Sequence, residues 1–259
     1  MHFDESGLKA EFSFERQART GWNDFWRRIG GVPDLKGKRV LDFGCNRGGS
    51  VHRALQEGAA SVTGIDVSEA ATVFARERLQ PQWGERVEIL CGNLADMDLD
   101  PFDIVFSVNT MEHVEDPAKA LDAIVSVCKP GAEMFFGFSP LWYSPFGHHH
   151  YPQTKVPWLH ILRGDRIVLD ALEAHTGSRP ASVKEAGFNC ATPRDFRNAL
   201  EAQPVQVLSS RRNVGRTPMR TRISQALLPL GIIPALEKYV TVGMFWHLRK
   251  LPGNKELTS

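Results

Sequence analysis

The sequence predicts an α/β fold of 259 residues, with a mainly parallel sheet sandwiched between two layers of helices. Three observations predict it. Strand-like and helix-like segments alternate from Arg39 to Phe138. The strand-like segments, Phe102 to Val108 above all, are apolar at successive positions, as in strands buried on both faces. A glycine-rich turn follows the first of them, where a doubly wound sheet opens its ligand crevice.

Each element has its own local signal. From Glu11 to Ile29, Phe14, Ala18, Trp22, Phe25, Trp26 and Ile29 recur at three- and four-residue steps, the period of a helix. Gly30-Gly31-Val32-Pro33 stops it. Strands are expected at Arg39 to Phe43, Ser61 to Ile65, Val87 to Cys91, Phe102 to Val108 and Ala132 to Phe138. Helices are expected from Gly49 to Glu57, from Glu69 to Leu79, and from Asp116-Pro117 to Cys128, where Lys129-Pro130-Gly131 breaks the chain. Beyond Phe138 the alternation lapses, with one helical stretch near Gly164 to His175. It resumes at Thr192-Pro193-Arg194-Asp195, which reads as an N-cap, a first-turn proline and an acidic third position. A helix to Ala202 and strands at Val205 to Ser209 and Val240 to Leu248 complete the chain. Four parts are expected: a helical cap (1–36), a ligand-binding core (37–138), an insertion or lid (139–190), and the rest of the sheet with a basic segment (191–259).

The bulk numbers narrow the class. With 42% hydrophobic and 24% charged residues, a core forms without staples. A net charge of +1 argues against a general nucleic-acid binder, which needs a strong positive excess. Cys45, Cys91, Cys128 and Cys190 form no CxxC pair and read as reduced thiols. Met1-His2-Phe3-Asp4-Glu5 lacks the basic-then-apolar order of a signal peptide. The longest apolar stretch, Leu227 to Leu236, is too short for a bilayer and contains Pro229, Gly231 and Pro234. A cytoplasmic protein is expected, with peripheral membrane association left open by the basic segment.

The expected ligand site lies at the turn Asp42-Phe43-Gly44-Cys45-Asn46-Arg47-Gly48. Glycines at 44 and 48 permit a tight turn and close backbone approach. Asp66 closes the second strand, where a carboxylate accepts the two hydroxyls of a ribose. In order, VLDFGCNRGG (40–49), GIDVS (64–68), CGNLADMD (91–98), FDIVFSVNTMEHVEDPAKAL (102–121) and KPGAEMFFGF (129–138) resemble the successive motifs of class I S-adenosylmethionine-dependent methyltransferases. A nicotinamide fingerprint wants G-x-G-x-x-G, whereas the turn here is G-x-x-x-G-G.

The resemblance implies a three-layer, Rossmann-like, seven-stranded sheet with one antiparallel strand, at Val240 to Leu248, and S-adenosyl-L-methionine as cofactor. By position, Asp42 with Gly44, Cys45, Asn46 and Gly48 would hold the methionine moiety. Asp66 would bind the ribose, Val67 would flank the adenine, and Asn93 and Leu94 would meet the adenine edge. Val108 and Asn109 would line the methionine pocket. Two departures stand out. Asn46 replaces a glycine, and Asn93 replaces the usual acid, which makes Asp96 a rival for the adenine contact.

Methyl transfer from a sulfonium is an in-line displacement, so the protein must align donor and acceptor and exclude water. A hydroxyl acceptor gains from a nearby base, and histidine suits neutral pH. His148, His149 and His150, directly after the fifth strand, are the candidates, with Trp142, Tyr143, Phe146 and Tyr151 as an apolar wall for a ring. Of the three histidines only His148 and His150 point the same way on an extended chain, and no acids nearby complete a shell, so no metal is assigned. His113 reads mainly as shaping the start of the following helix. The basic run from Arg211 to Arg222, with no acid between Ala202 and Leu236, suggests an anionic or lipid-linked substrate. The expected function is O-methylation of a small molecule, glycan precursor or lipid-linked intermediate. The alternatives are a non-catalytic cofactor-binding scaffold and a methyltransferase acting on tRNA or protein.

Overall fold

The computed structural model describes residues 5–149 and 156–252. Seven strands form one sheet: β1 (Arg39–Phe43), β2 (Ser61–Asp66), β3 (Val87–Cys91), β4 (Phe102–Val108), β5 (Cys128–Phe138), β6 (Val205–Arg212) and β7 (Met244–Lys250). Their order is β3-β2-β1-β4-β5-β7-β6, and β7 runs antiparallel to both β5 and β6. Strand order reverses between β1 and β4, so the loops leaving those two strands diverge and open a crevice at their carboxyl ends.

Successive residues of the central strands enter opposite cores, which is why these strands read as unbroken apolar runs. Leu41 and Val105 face α5 (Pro117–Ser126) and α8 (Pro193–Glu201), packing with Leu121, Ile124, Phe196 and Trp246. Val40, Ile104 and Phe106 face the other way, toward α1 (Glu5–Arg16), α2 (Trp22–Ile29), α3 (Gly49–Gln56) and α4 (Glu69–Trp83). On that side Phe106 is fully buried and meets Trp22, Phe25 and Trp26 with ring centroids 5.8, 6.4 and 5.9 Å away.

Several boundaries differ from the sequence reading. The first helix begins at Glu5 and passes through a π-helical turn, Gln17–Gly21, before α2. Lys129-Pro130-Gly131 does not break the chain. These residues lie inside β5 at a register shift opposite Phe102 and Ile104, with Gly131 at φ +78° absorbing the extra residues. The sixth strand continues to Arg212. Val240 ends a helix, α10 (Pro234–Val240), rather than opening the last strand. Pro234 starts that helix, and the buried Asn213 Oδ1 then takes the Val242 N–H at 2.7 Å and turns the chain into β7.

After β5, α6 (Leu159–Arg163) and α7 (Arg166–Thr176) close a small core of their own, in which Trp142, Val168, Leu172 and Phe188 are buried. Asn189 Nδ2 ties this segment to the loop after β4 by donating to the Met111 and Val114 carbonyls at 2.7 and 2.8 Å.

Candidate active site

The turn after β1 is fastened to β2 by its own backbone. The Gly44 and Cys45 N–H groups both donate to the Ile65 carbonyl, at 2.8 and 3.0 Å. Gly44 sits at φ +83°, and a Cβ there would overlap the Thr110 hydroxyl. Gly48, at φ +80°, packs where a Cβ would come within 2.8 Å of Leu79. Asn46 adopts φ +49°, the left-handed conformation an amide side chain tolerates, and its Oδ1 takes the Arg47 N–H at 2.8 Å.

Two backbone donors orient the Asp66 carboxylate. Asn46 N–H reaches Oδ2 at 2.8 Å and Ser68 N–H reaches Oδ1 at 2.9 Å. Each oxygen keeps a lone pair for a further donor. A second clamp comes from the N-terminal helix, where the Gln17 amide donates to the Cys45 carbonyl at 3.1 Å and accepts the Gly49 N–H at 3.0 Å.

Above this turn lies a cleft of about 1460 Å³. Gly44, Asn46, Asp66, Val67, Asn93, Leu94, Val108 and Asn109 line it, so the sequence motifs from four separate strands converge on one space. Asp42, Cys45 and Gly48 sit behind the lining. Asp42 is buried, its carboxyl is pushed well up by burial and by the neighbouring Asp66 charge, and its Oδ2 meets no donor among the described residues. Burial likewise raises the Cys45 thiol, so this cysteine is a packing group rather than a nucleophile. Asn93 caps the short turn Leu94–Asp96 by accepting the Ala95 N–H at 3.3 Å, while Asp96 is exposed and does not line the cleft. The residues present fit an adenosyl-methionine ligand: a fixed carboxylate at the end of β2, polar and apolar edges at Asn93 and Leu94, and a glycine turn.

The far end of the cleft departs from the sequence reading. His148 is wholly buried, with its ring against His160 at 5.2 Å, and does not line the cleft. His149 sits at φ +51°, with Nε2 3.1 Å from the Pro140 carbonyl, and is also outside the lining. His150 and Tyr151 lie outside the described residues. Trp142 belongs to the small core, Phe146 is half-buried and does not line the cleft, and Tyr143 stacks edge-on with Tyr239 beneath the Lys238 ammonium. None of these three rings lines the cleft, and Trp142 is packing, because an apolar ring in a segment that builds its own core is drawn inward. Among the described residues, no group of three or more His, Cys, Asp or Glu is placed to hold a metal ion.

His113 takes the place expected of the histidine run. It lines the cleft, and its Nδ1 lies 2.7 Å from the Gly187 carbonyl. A carbonyl only accepts, so Nδ1 carries the proton and Nε2 of the neutral ring remains a base. The residue stays exposed toward the cleft, and partial desolvation where its ring meets His149 and Phe188 pulls its pKa below the usual histidine range, against the opposing pull of the Gly187 carbonyl. Beside it Glu112 is buried, with Oε1 accepting the Ser139 N–H at 3.1 Å, and burial pushes its carboxyl up to about 8. Gln17, Thr110, Glu112, Lys184, Glu185 and Asn189 were not singled out from sequence. The one legible signal was Gln17, a polar residue between Phe14 and Ala18 on the buried stripe of a helix.

Of the basic run, only Arg216 lines the cleft. Arg211 donates to the Arg28 carbonyl at 3.3 Å, and Arg212 pairs with Glu237 at 3.0 Å beside a bidentate Arg197. These two arginines therefore hold structure together rather than meet an anionic substrate.

This sheet order, with its reversed β7 and its crevice at the ends of β1, β2 and β4, is the fold of class I S-adenosylmethionine-dependent methyltransferases. Residues 41–136 match the family described as Methyltransferase domain. A ubiquinone biosynthesis O-methyltransferase of Pseudomonas fluorescens is 38% identical over 121 residues, which span 46% of this chain and 49% of that protein. The likeness thus covers under half of either chain. Among solved structures, an S-adenosylmethionine-dependent methyltransferase from Mesorhizobium loti superposes with TM-score 0.56 at 17% identity, over 93% of this chain and 100% of that one. A geranyl diphosphate C-methyltransferase from Streptomyces coelicolor, solved with S-adenosyl-L-homocysteine, gives 0.60 at 13% identity, over 96% and 87%. At such identities these two establish the fold alone.

Proposed function

We propose that the chain is an S-adenosylmethionine-dependent O-methyltransferase acting on a small molecule, with His113 as the base that takes the acceptor's hydroxyl proton. The observation that carries this is one cleft lined by both Asp66 and His113. The O-methyltransferase relative supports the oxygen as the methylated atom. When bound, the cofactor supplies an electrophilic methyl group. Asp66, fixed by two backbone N–H groups, would hold the ribose, and the glycine turn would admit the methionine backbone. Val108, Asn109 and Thr110 would separate that end from the acceptor. The Gly187 carbonyl fixes the His113 tautomer with Nε2 unprotonated.

Formation of S-adenosyl-L-homocysteine, measured against a panel of phenols, catechols and sugar alcohols, tests the reading. A productive acceptor should lose roughly 10²–10⁴-fold in kcat on His113→Asn, the usual range for a removed general base. Activity in the wild type should fall only as pH drops through a value below the ordinary histidine pKa, since partial desolvation of the ring lowers this one and the base must be neutral. A His113→Asn enzyme at the wild-type rate, with the same acid limb, would remove His113 from the chemistry.

A further inference from the structure

Helix α9 (Pro218–Gln225) is attached to the protein the wrong way round. Its hydroxyl edge faces inward: Thr221 Oγ1 takes the Gly215 N–H at 3.0 Å, and the Ser224 hydroxyl donates to the Asn213 carbonyl at 2.8 Å. Asn213, itself buried, returns a bond from Nδ2 to the Ser224 carbonyl at 2.8 Å. Met219 and Ile223, one turn apart, point outward and are 72% and 63% exposed. A helix ordinarily buries its apolar stripe and shows its polar one. The reversal extends into the next turn, Leu228–Ile232, where no residue is buried, and through Ile233; Leu230 and Ile233 are exposed, as is Ile232 at 83%.

Charge says what covers this face. No acidic residue occurs between Ala202 and Leu236. Arg212 and Arg216 are drawn to Glu237 and Asp24, whereas Arg220 and Arg222, on the exposed helix itself, pair with no acid among the described residues. A second copy of the chain docking here by symmetry would bring those arginines against their own counterparts. An exposed apolar ridge flanked by unpaired arginines matches instead the two layers of an anionic bilayer surface, headgroup phosphates above and acyl chains below.

We propose that α9 and the turn after it form a docking surface for an anionic lipid membrane. Arg216, two residues before α9, lines the cleft, so docking would set the cleft mouth beside the bilayer. The proposal goes beyond the methyl-transfer reading and stands apart from it, because vesicle binding needs neither cofactor nor acceptor.

Flotation of the full chain with phosphatidylcholine vesicles, with and without phosphatidylglycerol, tests it. The wild type should bind the anionic vesicles at least about tenfold more tightly than the neutral ones. Ile223→Ser/Ile232→Ser and Arg220→Gln/Arg222→Gln should each weaken that binding by about tenfold with the thermal midpoint unchanged, since all four side chains are exposed. Absence of flotation, equal binding to both vesicle types, or variants that float like the wild type would overturn the proposal. So would sedimentation showing that Ile223→Ser/Ile232→Ser dissolves a dimer, because the occupant would then be a second copy.

Discussion

The Glu112 carboxyl is buried beside the proposed base, and its proton affinity in the fold differs from that in the open chain. Burial raises its pKa from the ordinary glutamate value to about 8. Between those two values the unfolded chain has released a proton that the native state keeps, so native stability falls as pH rises through this window. The stability is fully present below the unfolded pKa. Glu112→Gln keeps an acceptor for the Ser139 N–H and removes the titration. Its melting midpoint, compared with that of the wild type from pH 5 to pH 8, should gain on the wild type as pH rises. A constant difference across that range would show that Glu112 titrates normally. Neither Glu112 nor the assignment of His113 was legible in the sequence, for a common reason. The motif MEHV fixes where these side chains leave the backbone, but Gly187 and Ser139, which set their protonation, arrive from 74 and 27 residues away.

At the level of elements, the sheet was the most readable part of the chain. The expected strands β1, β3 and β4 coincide with the observed ones, because residues such as Ile104, Val105 and Phe106 are apolar on both faces and have no alternative to a buried strand. The Thr192 capping box was equally plain, as its signal is wholly local: Thr192 Oγ1 takes the Asp195 N–H while Asp195 returns a bond to the Thr192 N–H. The misread elements depend on distant partners. Pro130 looked like a breaker because a bulge opposite Phe102 is invisible in the chain, and Val240 looked like a strand because Asn213 terminates α10 from afar. Trp142 resembled part of a ligand wall because the sequence does not say which side of a small core a ring will face. The aromatic nest of α2 on β4 is one contact of the N-terminal helical region with the sheet, beside that of Trp26 with Phe135 on β5. Phe106→Ala should cost about 3–5 kcal/mol in chemical denaturation, the usual range for truncating a fully buried phenylalanine. A loss below about 1 kcal/mol would mean that the cap is held otherwise.

For the whole molecule, three separately built regions meet at one cleft: the motif turns of the sheet, the π-turn region of the N-terminal helix, and the segment that follows β5. Gln17 links the first two and Asn189 links the third, so the glycine turn and the His113 side of the cleft are joined by backbone-directed bonds rather than by surface charge. Such bonds are little affected by salt, unlike exposed ion pairs. The convergence of the motif turns on one cleft was readable from five motifs in register, whereas the His113 side of that cleft was not, because its residues come from unpatterned segments. Its central element is Asp66. Calorimetric titration of S-adenosyl-L-methionine into the wild type and Asp66→Ala measures it directly. Saturable binding by the wild type, weakened at least about tenfold by loss of a charge-assisted pair of hydrogen bonds, is the predicted result. No binding by the folded wild type, or equal affinity in the variant, would contradict the assignment of this cleft to the methyl donor.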